Sequence, residues 1–387
     1  MIDKNGFIKN IDKIIQRVEE DETTFYFFVV DSKNVPNGSM KYIYQLAYEL
    51  HTCGHKVTML YQLPDEYSEE EMEEIIRKEL PIDDNKRYVG VGEWMGEKYM
   101  KDLPHLNIGK YEWKVGAADF LFIPEALSTL MFETFKQKLP CKRCIVVHNY
   151  NYIMNSIPLG VQWSNYGIYD AVCITENEAE LVKSIFPYVN TRVLNPYIED
   201  CFRPAIEPRK LIVNIIAREQ EDVKRIVKPF YWKYGSLFQS LSFRDVRGFP
   251  TSKYASMLME APITVWDDPE TPFGSSALEV LRCGGILIAR IPKHVPEWAL
   301  NEKGELIDYV LWYDDINKVQ EYIASSVHAW INDDIPSLLL EGSTKSAESY
   351  RYKDWKGKVA EFVSNIKSDY IKELEAAKEI SSNKEES

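Results

Sequence analysis

Residues 272–285 have the sequence PFGSSALEVLRCGG and stand between two apolar runs, Ile263–Trp266 and Ile286–Ala289. An apolar run, a glycine-containing turn, a short helix-forming stretch, paired glycines and a second apolar run predict strand, turn, helix and strand. The helix is expected to begin at Ser275 or Ser276. This unit is typical of an α/β fold with a parallel sheet.

The start of this predicted helix suits an anion, because its first backbone N–H groups have no partner within the helix. Glu279 lies one turn further on, where a carboxylate can accept hydrogen bonds from a diol such as ribose. A sugar nucleotide carries both groups, so the stretch suggests a nucleotide-sugar site. A purely structural explanation fits equally well, with Ser276 and Glu279 as a capping box and Gly284 as the helix C-cap.

Length and composition indicate a globular protein of two domains of similar size, at 387 residues with 45% hydrophobic and 27% charged side chains. The net charge of −14 argues against nucleic acid or an anionic membrane as a general partner. The charge is uneven, since residues 65–84 are acidic and residues 203–247 are rich in Lys and Arg. No signal peptide and no membrane span of ~20 apolar residues is predicted.

The six cysteines are scattered, which favours a reducing, cytoplasmic setting. Cys141 and Cys144 form a C-x-x-C pair, but this pair precedes the predicted strand Ile145–Val147 instead of opening a helix. A zinc site would need a second close ligand pair. We therefore predict structural cysteines and no metal site.

The first half of the chain has the pattern of a parallel α/β domain. Residues 7–18 form an amphipathic helix, for which docking on the domain's own surface and contact with a membrane surface are both open. A helix capped by Ser39 is predicted between the first two strands. The predicted strands are Thr24–Val30, Lys56–Leu60, Phe120–Ile123, Ile145–Val147, Ala171–Ile174 and Thr191–Val193.

The second half repeats this organisation after an irregular, proline-containing segment, Tyr197–Pro208. Its strands begin with Leu211–Ile216 and end with Val310–Trp312, and a helical pattern follows from residue 316 to about residue 367. The prediction is an N-terminal Rossmann-like domain over 1–200, a C-terminal one over 201–367, and a polar helical or disordered tail over 368–387.

Three motifs occur in an order that resembles the GT-B glycosyltransferases, above all the large retaining group that includes sucrose synthases, mannosyltransferases and rhamnosyltransferases. Residues 193–204 (VLNPYIEDCFRP) resemble the interdomain stretch of that group. Arg218, with Lys224 six residues later, resembles its basic pair. Residues 272–285 resemble its E-x7-E motif through Phe273, Gly274 and Glu279, and the resemblance covers roughly residues 24–330.

The resemblance implies two Rossmann-like domains facing each other across a cleft, with a helical C-terminal segment. In the C-terminal domain, Arg218 and Lys224 would grip the donor diphosphate together with the helix start at Ser275 and Ser276. Glu279 would bind the ribose, and the loop Arg247-Gly248-Phe249 would hold the nucleobase. By themselves, Arg218 and Lys224 are equally explained by surface ion pairs with neighbouring acidic residues at positions 219, 221 and 222.

One position departs from the motif, because the first Glu, which touches the donor sugar in the family, is replaced by Thr271. In the N-terminal domain, Gly38 and Ser39 resemble the family's glycine loop near the phosphates, and a simple helix cap explains them as well. His148 stands where the family places a histidine facing the transferred sugar, and Glu125 is a candidate acceptor-side carboxylate. Structural roles for both residues remain open alternatives.

The function implied by the resemblance is transfer of a hexosyl or deoxyhexosyl group from a nucleotide diphosphate sugar to an unidentified acceptor. Anomeric retention is expected, and no cofactor or metal is expected beyond the sugar nucleotide as co-substrate. The alternatives are a non-catalytic nucleotide-sugar-binding protein, marked by Thr271, and a nucleotide-sugar epimerase or phosphorylase. The acceptor is open among glycans, lipid-linked sugars, proteins and a modified DNA base, and so are the donor base, the donor sugar and the oligomeric state.

Overall fold

The computed structural model describes residues 4–33, 35–62, 77, 90–109 and 112–383. The predicted acidic stretch 65–84 therefore lies outside the described residues, apart from Arg77. The chain forms two compact units. The N-terminal unit comprises Met1–Val172, Val182–Arg192 and Lys358–Ser387, and the C-terminal unit comprises Cys173–Leu181 and Val193–Gly357.

These bounds differ from the predicted ones at both ends of the second domain. The chain passes from the N-terminal unit into the main part of the C-terminal unit at Val193, close to the predicted domain boundary at residue 200. At the other end, the chain from Lys358 onward belongs to the N-terminal unit. The last helix continues to Asn383, through most of the stretch from residue 368 for which a polar helical or disordered tail was expected.

The N-terminal unit is built on a seven-stranded sheet in the order β3-β2-β1-β4-β5-β6-β7. β1 pairs in parallel with both β2 and β4, and β4 pairs in parallel with β5. The strands are β1 (Thr24–Phe28), β2 (Lys56–Tyr61), β3 (His105–Asn107), β4 (Phe120–Pro124), β5 (Lys142–Val147), β6 (Asp170–Cys173) and β7 (Asn190–Val193).

Stacked aromatic rings from neighbouring strands fill the centre of this sheet. Phe25 stacks on Phe120 with ring centroids 5.2 Å apart, and Phe27 stacks on Phe122 at 4.6 Å. All four side chains are buried. β4 is buried along its whole length, as expected for a central parallel strand covered on both faces.

The helices of the first half whose bounds lie within the described residues are α1 (Lys4–Glu19), α2 (Gly38–Thr52), α3 (Gly92–Met95), α4 (Lys98–Lys101), α5 (Ser128–Lys136), α6 (Tyr150–Ser156) and α7 (Glu176–Ile185). Ile11 and Val18 on α1 are buried, which supports docking on the protein's own surface. The cap of α2 was predicted wrongly. Asn37 is the N-cap, and its side chain accepts hydrogen bonds from the N–H groups of Ser39 and Met40.

A buried ion-pair network joins the last helix to the N-terminal sheet. Asp170 is fully buried and lies 2.6 Å from both Lys142 Nζ and Arg192 Nη1. Arg192 also reaches Asp369 at 2.7 Å, and Lys142 reaches Glu373 at 2.5 Å. Because both acidic partners lie on the last helix, the network fixes that helix to the N-terminal unit.

The C-terminal unit contains a five-stranded sheet in the order β12-β11-β10-β8-β9, with every neighbouring pair parallel. Its strands are β8 (Ile212–Ala217), β9 (Ser242–Asp245), β10 (Ile263–Asp267), β11 (Ile286–Arg290) and β12 (Leu311–Tyr313). The remaining helices are α8 (Gln220–Tyr234), α9 (Thr251–Glu260), α10 (Ser275–Arg282), α11 (Ile316–Ile331), α12 (Ser337–Ser349) and α13 (Tyr352–Asn383).

Helices cover both faces of this sheet. Val213 and Ile215 of β8 belong to one core cluster with Phe230 of α8 and Ile323 of α11. The intervening residue, Asn214, is buried and donates a hydrogen bond from Nδ2 to a carbonyl of α9. Since successive side chains of a strand point to opposite faces, α8 and α11 lie on one face and α9 on the other.

The strand order fixes where a ligand is expected. From β8 the chain goes first to β9 on one side and then to β10 on the other, so the order reverses between β8 and β10. In open α/β sheets, ligands bind at the carboxyl ends of the strands at such a reversal. Arg218 directly follows β8, and Asp268 directly follows β10.

No helix within the described ranges is long and apolar enough to cross a membrane.

Candidate functional site

Arg218 forms the centre of a polar cluster at the reversal between β8 and β10. Its Nε and Nη2 donate to the two carboxylate oxygens of Asp268 at 3.2 and 3.3 Å, and Nη2 also donates to Thr271 Oγ1 at 3.2 Å. Thr271 in turn donates its hydroxyl to Asp268. The Arg218 side chain is 45% exposed, and Nη1 has no acceptor among the described residues. The guanidinium is therefore held in place while one edge faces outward.

Asp268 is the member of this cluster that the sequence analysis missed. The motif placed the expected carboxylate at position 271, where the chain has threonine. The structure places the Asp268 carboxylate against both Arg218 and Thr271 instead. The available signal was the position of Asp268, an acidic residue directly after a strand that ends at Asp267.

The helix α10 begins at Ser275, as predicted, and its N-cap is Gly274 without any side-chain cap. The capping box of Ser276 and Glu279 is therefore wrong as an explanation of this turn. An N-cap that has no side chain leaves the first-turn N–H groups available to an anion. At the other end, Gly284 adopts φ 71° and donates to the Leu281 carbonyl at 2.9 Å, as the predicted glycine stop requires.

Close packing fixes the shape of the turn before α10. Gly274 has φ 71° and ψ 46°, and a Cβ there would lie 3.0 Å from two ring atoms of the buried Trp266. Phe273 is buried, and its carbonyl accepts a hydrogen bond from the indole N–H of Trp298. The aromatic packing thereby holds the start of α10 in a defined position.

Glu279 is almost completely buried on α10. The hydroxyl of its neighbour Tyr254 is also buried, and burial, followed by the Glu279 carboxylate, raises the pKa of that phenol well above its usual value. The predicted ribose contact would require a ligand to reach this carboxylate from the start of the helix. That role stays a prediction.

The loop after β9 lies next to the Arg218 cluster. Arg247 donates from Nη1 to the Arg218 carbonyl at 3.1 Å and binds Asp245 through Nη2 at 2.6 Å. Gly248 has φ 73°, and Phe249 is exposed. The structure therefore brings Arg247-Gly248-Phe249 beside Arg218, as a base-binding loop would require.

Lys224 lies apart from these contacts on α8. Its Nζ forms an ion pair with Glu221 at 2.6 Å, one of the surface pairs foreseen as an alternative. Arg218, in contrast, pairs with Asp268 and with none of the acidic residues that directly follow it. Lys224 also lines a cavity of about 560 Å³. Its role in gripping a diphosphate with Arg218 stays a prediction.

In the N-terminal unit, the structure brings Glu125 and His148 together. Glu125 Oε1 accepts the N–H groups of His148 and Asn149 at 3.0 and 2.9 Å, and Oε2 lies 3.1 Å from His148 Nδ1. Both side chains are buried, and Tyr42 contacts the imidazole edge-on. A carboxylate only accepts hydrogen bonds, so Nδ1 carries the proton and Nε2 has none when the ring is neutral. Nε2 has no hydrogen-bond partner among the described residues.

Gly38 and Ser39 form the first turn of α2. The Asn37 side chain already accepts hydrogen bonds from the N–H groups of Ser39 and Met40 at 3.0 and 3.1 Å. A phosphate at this helix start would have to displace that cap. The predicted donor contact of these two residues remains untested.

The C-x-x-C pair has the environment of structural cysteines. Cys141 and Cys144 are both free and buried. Burial raises the pKa of the Cys141 thiol to about 12 and that of Cys144 still further. A redox pair needs a lowered thiol pKa, so these shifts are in the opposite direction.

No protein-family profile matches the sequence, and no curated protein matches it. Solved structures do match. Sucrose-phosphate synthase from Thermosynechococcus elongatus is 13% identical with a TM-score of 0.56, over 90% of this chain and 100% of that one. The pneumococcal O-GlcNAc transferase GtfA, in complex with UDP and GlcNAc, is 10% identical with a TM-score of 0.56, over 89% and 99%.

The catalytic domain of starch synthase IV from Arabidopsis thaliana, bound to ADP and acarbose, is 9% identical with a TM-score of 0.55, over 89% of this chain and 99% of that one. At such identities the likeness concerns the fold. It extends over nearly the full length of both chains in each comparison. The chain therefore has the α/β fold of two parallel sheets found in these GT-B proteins, as the sequence predicted.

Proposed function

We propose that the protein is a glycosyltransferase that moves a sugar from a nucleoside diphosphate donor to an acceptor. The observation that carries the proposal is the cluster at the β8–β10 reversal. There, the outward edge of Arg218 and the start of α10 without a side-chain cap follow strands that are adjacent in the sheet. Both groups favour negative charge. The shared fold with nucleotide-sugar enzymes supports the same conclusion.

The chemistry follows from the charge of the leaving group. When the bond between sugar and diphosphate breaks, negative charge accumulates on the phosphate oxygens. Fixed cations and helix N–H groups aimed at those oxygens lower the barrier without reorganising during the reaction. Asp268 and Thr271 hold the Arg218 guanidinium, so its orientation is set before a ligand arrives. Retention of configuration and a reaction without a metal belong to this proposal.

We further propose that Asp268 supplies the carboxylate that the motif places at position 271. It lies at the same turn and is bonded to Thr271, so the substitution at 271 moves the acidic group without removing it. This argues against the interpretation that Thr271 marks a protein without activity. Asp268 and the Thr271 hydroxyl would then bind the donor sugar.

His148 is the proposed contributor from the N-terminal unit. Glu125 fixes the tautomer that leaves Nε2 without a proton, and Nε2 can accept a hydrogen bond from a sugar hydroxyl. This acceptor suits a histidine that faces the transferred sugar.

A thermal-shift screen with UDP-, GDP-, ADP- and dTDP-sugars tests the binding part of the proposal. One nucleotide at about 100 times its Kd should stabilise the fold by about 2.7 kcal/mol. UDP and ADP derivatives come first, because GtfA was solved with UDP and starch synthase IV with ADP. If no nucleotide raises the melting temperature, the proposed function fails.

Arg218→Ala should weaken the nucleotide by about ten- to hundredfold, since hydrogen bonds to charged groups contribute about 1.5–3 kcal/mol. Arg17→Ala is a matched control, because Arg17 is 46% exposed and also forms an ion pair, with Glu22. If the nucleotide raises the melting temperature of both variants equally, Arg218 is not part of the binding site.

Release of the free nucleotide only when an acceptor is added separates a transferase from its alternatives. An epimerase converts the sugar nucleotide without net release. A binding protein shows the thermal shift without turnover. The acceptor panel should contain oligosaccharides, lipid-linked sugars, a polypeptide and a modified DNA base.

A further inference from the structure

The cavity of about 560 Å³ lies on the C-terminal unit between α8 and the start of α11. Its floor is formed by the carboxyl ends of β10, β11 and β12. Arg218, Asp268 and Thr271 are not among the residues that line it. Its volume is typical of small-molecule sites. The cavity is therefore distinct from the Arg218, Asp268 and Thr271 cluster, although Lys224, the predicted partner of Arg218, lines it.

Three polar side chains from the strand ends meet on the floor. Arg290 Nη1 lies 3.2 Å from Asp267 Oδ1, and Arg290 remains partly exposed. Burial, followed by the nearby Asp267 carboxylate, raises the pKa of the Tyr313 phenol well above its usual value. The buried hydroxyl makes no hydrogen bond of normal geometry with the described residues. The floor therefore presents the Arg290 guanidinium to a ligand, with the Asp267 carboxylate and the buried Tyr313 hydroxyl behind it.

The charges around the cavity nearly balance. The lining contains four cationic and five anionic side chains. Most cations are already paired, Lys224 with Glu221 at 2.6 Å and Arg225 with Asp222 at 3.0 Å. Such a lining offers little net attraction to a phosphate or another multiply charged anion. It suits a ligand whose groups both donate and accept hydrogen bonds, as alcohol hydroxyls do.

An exposed aromatic ring completes the lining. Trp232 of α8 is 81% exposed, and Ile316 at the start of α11 is also exposed. Tryptophan is enriched at binding interfaces, because its large ring offers apolar contact area together with a polar N–H. The apolar C–H face of a pyranose ring matches an indole ring in size and polarity.

We infer that this cavity binds a neutral hexose unit, one or two sugar residues of a glycan. The ring stacks on Trp232, and its hydroxyls bond to the polar groups of the floor. The inference does not depend on the proposed transferase activity, since the cavity and the donor cluster share none of the Arg218, Asp268 and Thr271 side chains. In a transferase, such a site would hold an acceptor or product glycan on the C-terminal unit.

Saturation-transfer NMR on the full chain, with glucose, N-acetylglucosamine and maltose as probes, tests the inference. The wild type should bind at least one probe. Trp232→Ala should weaken that binding by about tenfold or more. Tyr188→Ala, which removes a 70% exposed aromatic ring from the N-terminal unit, should leave it unchanged. Circular dichroism and the melting temperature establish that each variant is folded.

Three results would overturn the inference. The first is the absence of binding by all three sugars. The second is binding of inorganic phosphate at the cavity instead, and the third is equal sugar binding in wild type and Trp232→Ala. Arg218→Ala separates this inference from the proposed function, since it should reduce the nucleotide shift and leave sugar binding intact.

Discussion

Replacing Glu125 with Gln tests the role of His148 with almost no change in shape. The carboxylate accepts three hydrogen bonds, from the N–H groups of His148 and Asn149 and from His148 Nδ1. A Gln amide oxygen can keep the two backbone bonds. Its NH₂ group would then face Nδ1, which must become an acceptor, so the ring proton moves to Nε2. The substitution thus changes Nε2 from a hydrogen-bond acceptor into a donor.

The expected loss of turnover follows from the single hydrogen bond that is affected, the one at His148 Nε2. A hydrogen bond involving a charged group contributes about 1.5–3 kcal/mol, and each 1.4 kcal/mol corresponds to about a tenfold change in rate. Turnover in Glu125→Gln should fall about ten- to hundredfold. The free energy of unfolding should change much less, by about 1 kcal/mol, because the backbone bonds are retained.

The assay combines nucleotide release with ¹⁵N NMR of the histidine rings, and His148→Asn identifies the His148 signals. Glu133→Gln is the control, because Glu133 is a surface residue of the same unit with only a long ion pair to Lys136, at 3.7 Å. Wild-type turnover in Glu125→Gln would refute the reasoning. A ring that keeps its proton on Nδ1 would refute the tautomer argument on its own.

Three further predictions concern stability. Gly274→Ala should cost about 2–4 kcal/mol in chemical denaturation, from a left-handed backbone and a 3.0 Å contact with Trp266. Gly304→Ala, at φ 77° with nothing within 4 Å, should cost only the backbone part, about 1 kcal/mol; equal costs would contradict the packing argument. Burial lowers the pKa of His105 below its usual 6.5. The folded state therefore resists protonation, and the melting temperature should fall as the pH drops below about 6.5. His105→Gln should remove that fall and the exposed His328→Gln should not, and identical pH curves would count against burial as the cause. Asp170→Asn removes the buried carboxylate that Lys142 and Arg192 share, although each keeps its partner on the last helix, and should cost about 3–5 kcal/mol in urea unfolding; a loss below about 1 kcal/mol would contradict the role of Asp170 as the buried centre of the network.

Several of the strands that the sequence predicted have apolar runs that are buried on both faces. β4 and β10 are examples, because every residue in each is buried. The two short strands β3 and β9 were missed. They contain polar residues, have no fully buried run, and lie at the sheet edges, where little burial is required.

Helix bounds were predictable where the signals are local. The sequence also predicts a helix over Glu176–Ile185, and α7 has those bounds. The long helix α13 was expected to fray, because its polar sequence contains no sign of its partners. Those partners, Lys142 and Arg192, lie about half a chain away in the sequence, and only the fold brings them to Asp369 and Glu373.

The candidate site likewise contains features that depend on local sequence, which were predictable, and features that depend on the fold, which were not. Arg218 and the start of α10 were predictable, since each depends on residues adjacent to a strand or a turn. The pairing of Arg218 with Asp268 was not, because fifty residues separate them in sequence. The Trp232 cavity combines side chains from α8, three strand ends and α11, and no local pattern unites these elements.

The most direct test of the central claim is a crystal structure with the nucleoside diphosphate that gives the largest thermal shift. The diphosphate should lie within hydrogen-bonding distance of the Arg218 guanidinium and of the N–H groups of Ser275 and Ser276. A nucleotide bound elsewhere, with no phosphate contact to Arg218 or to the start of α10, would contradict the account.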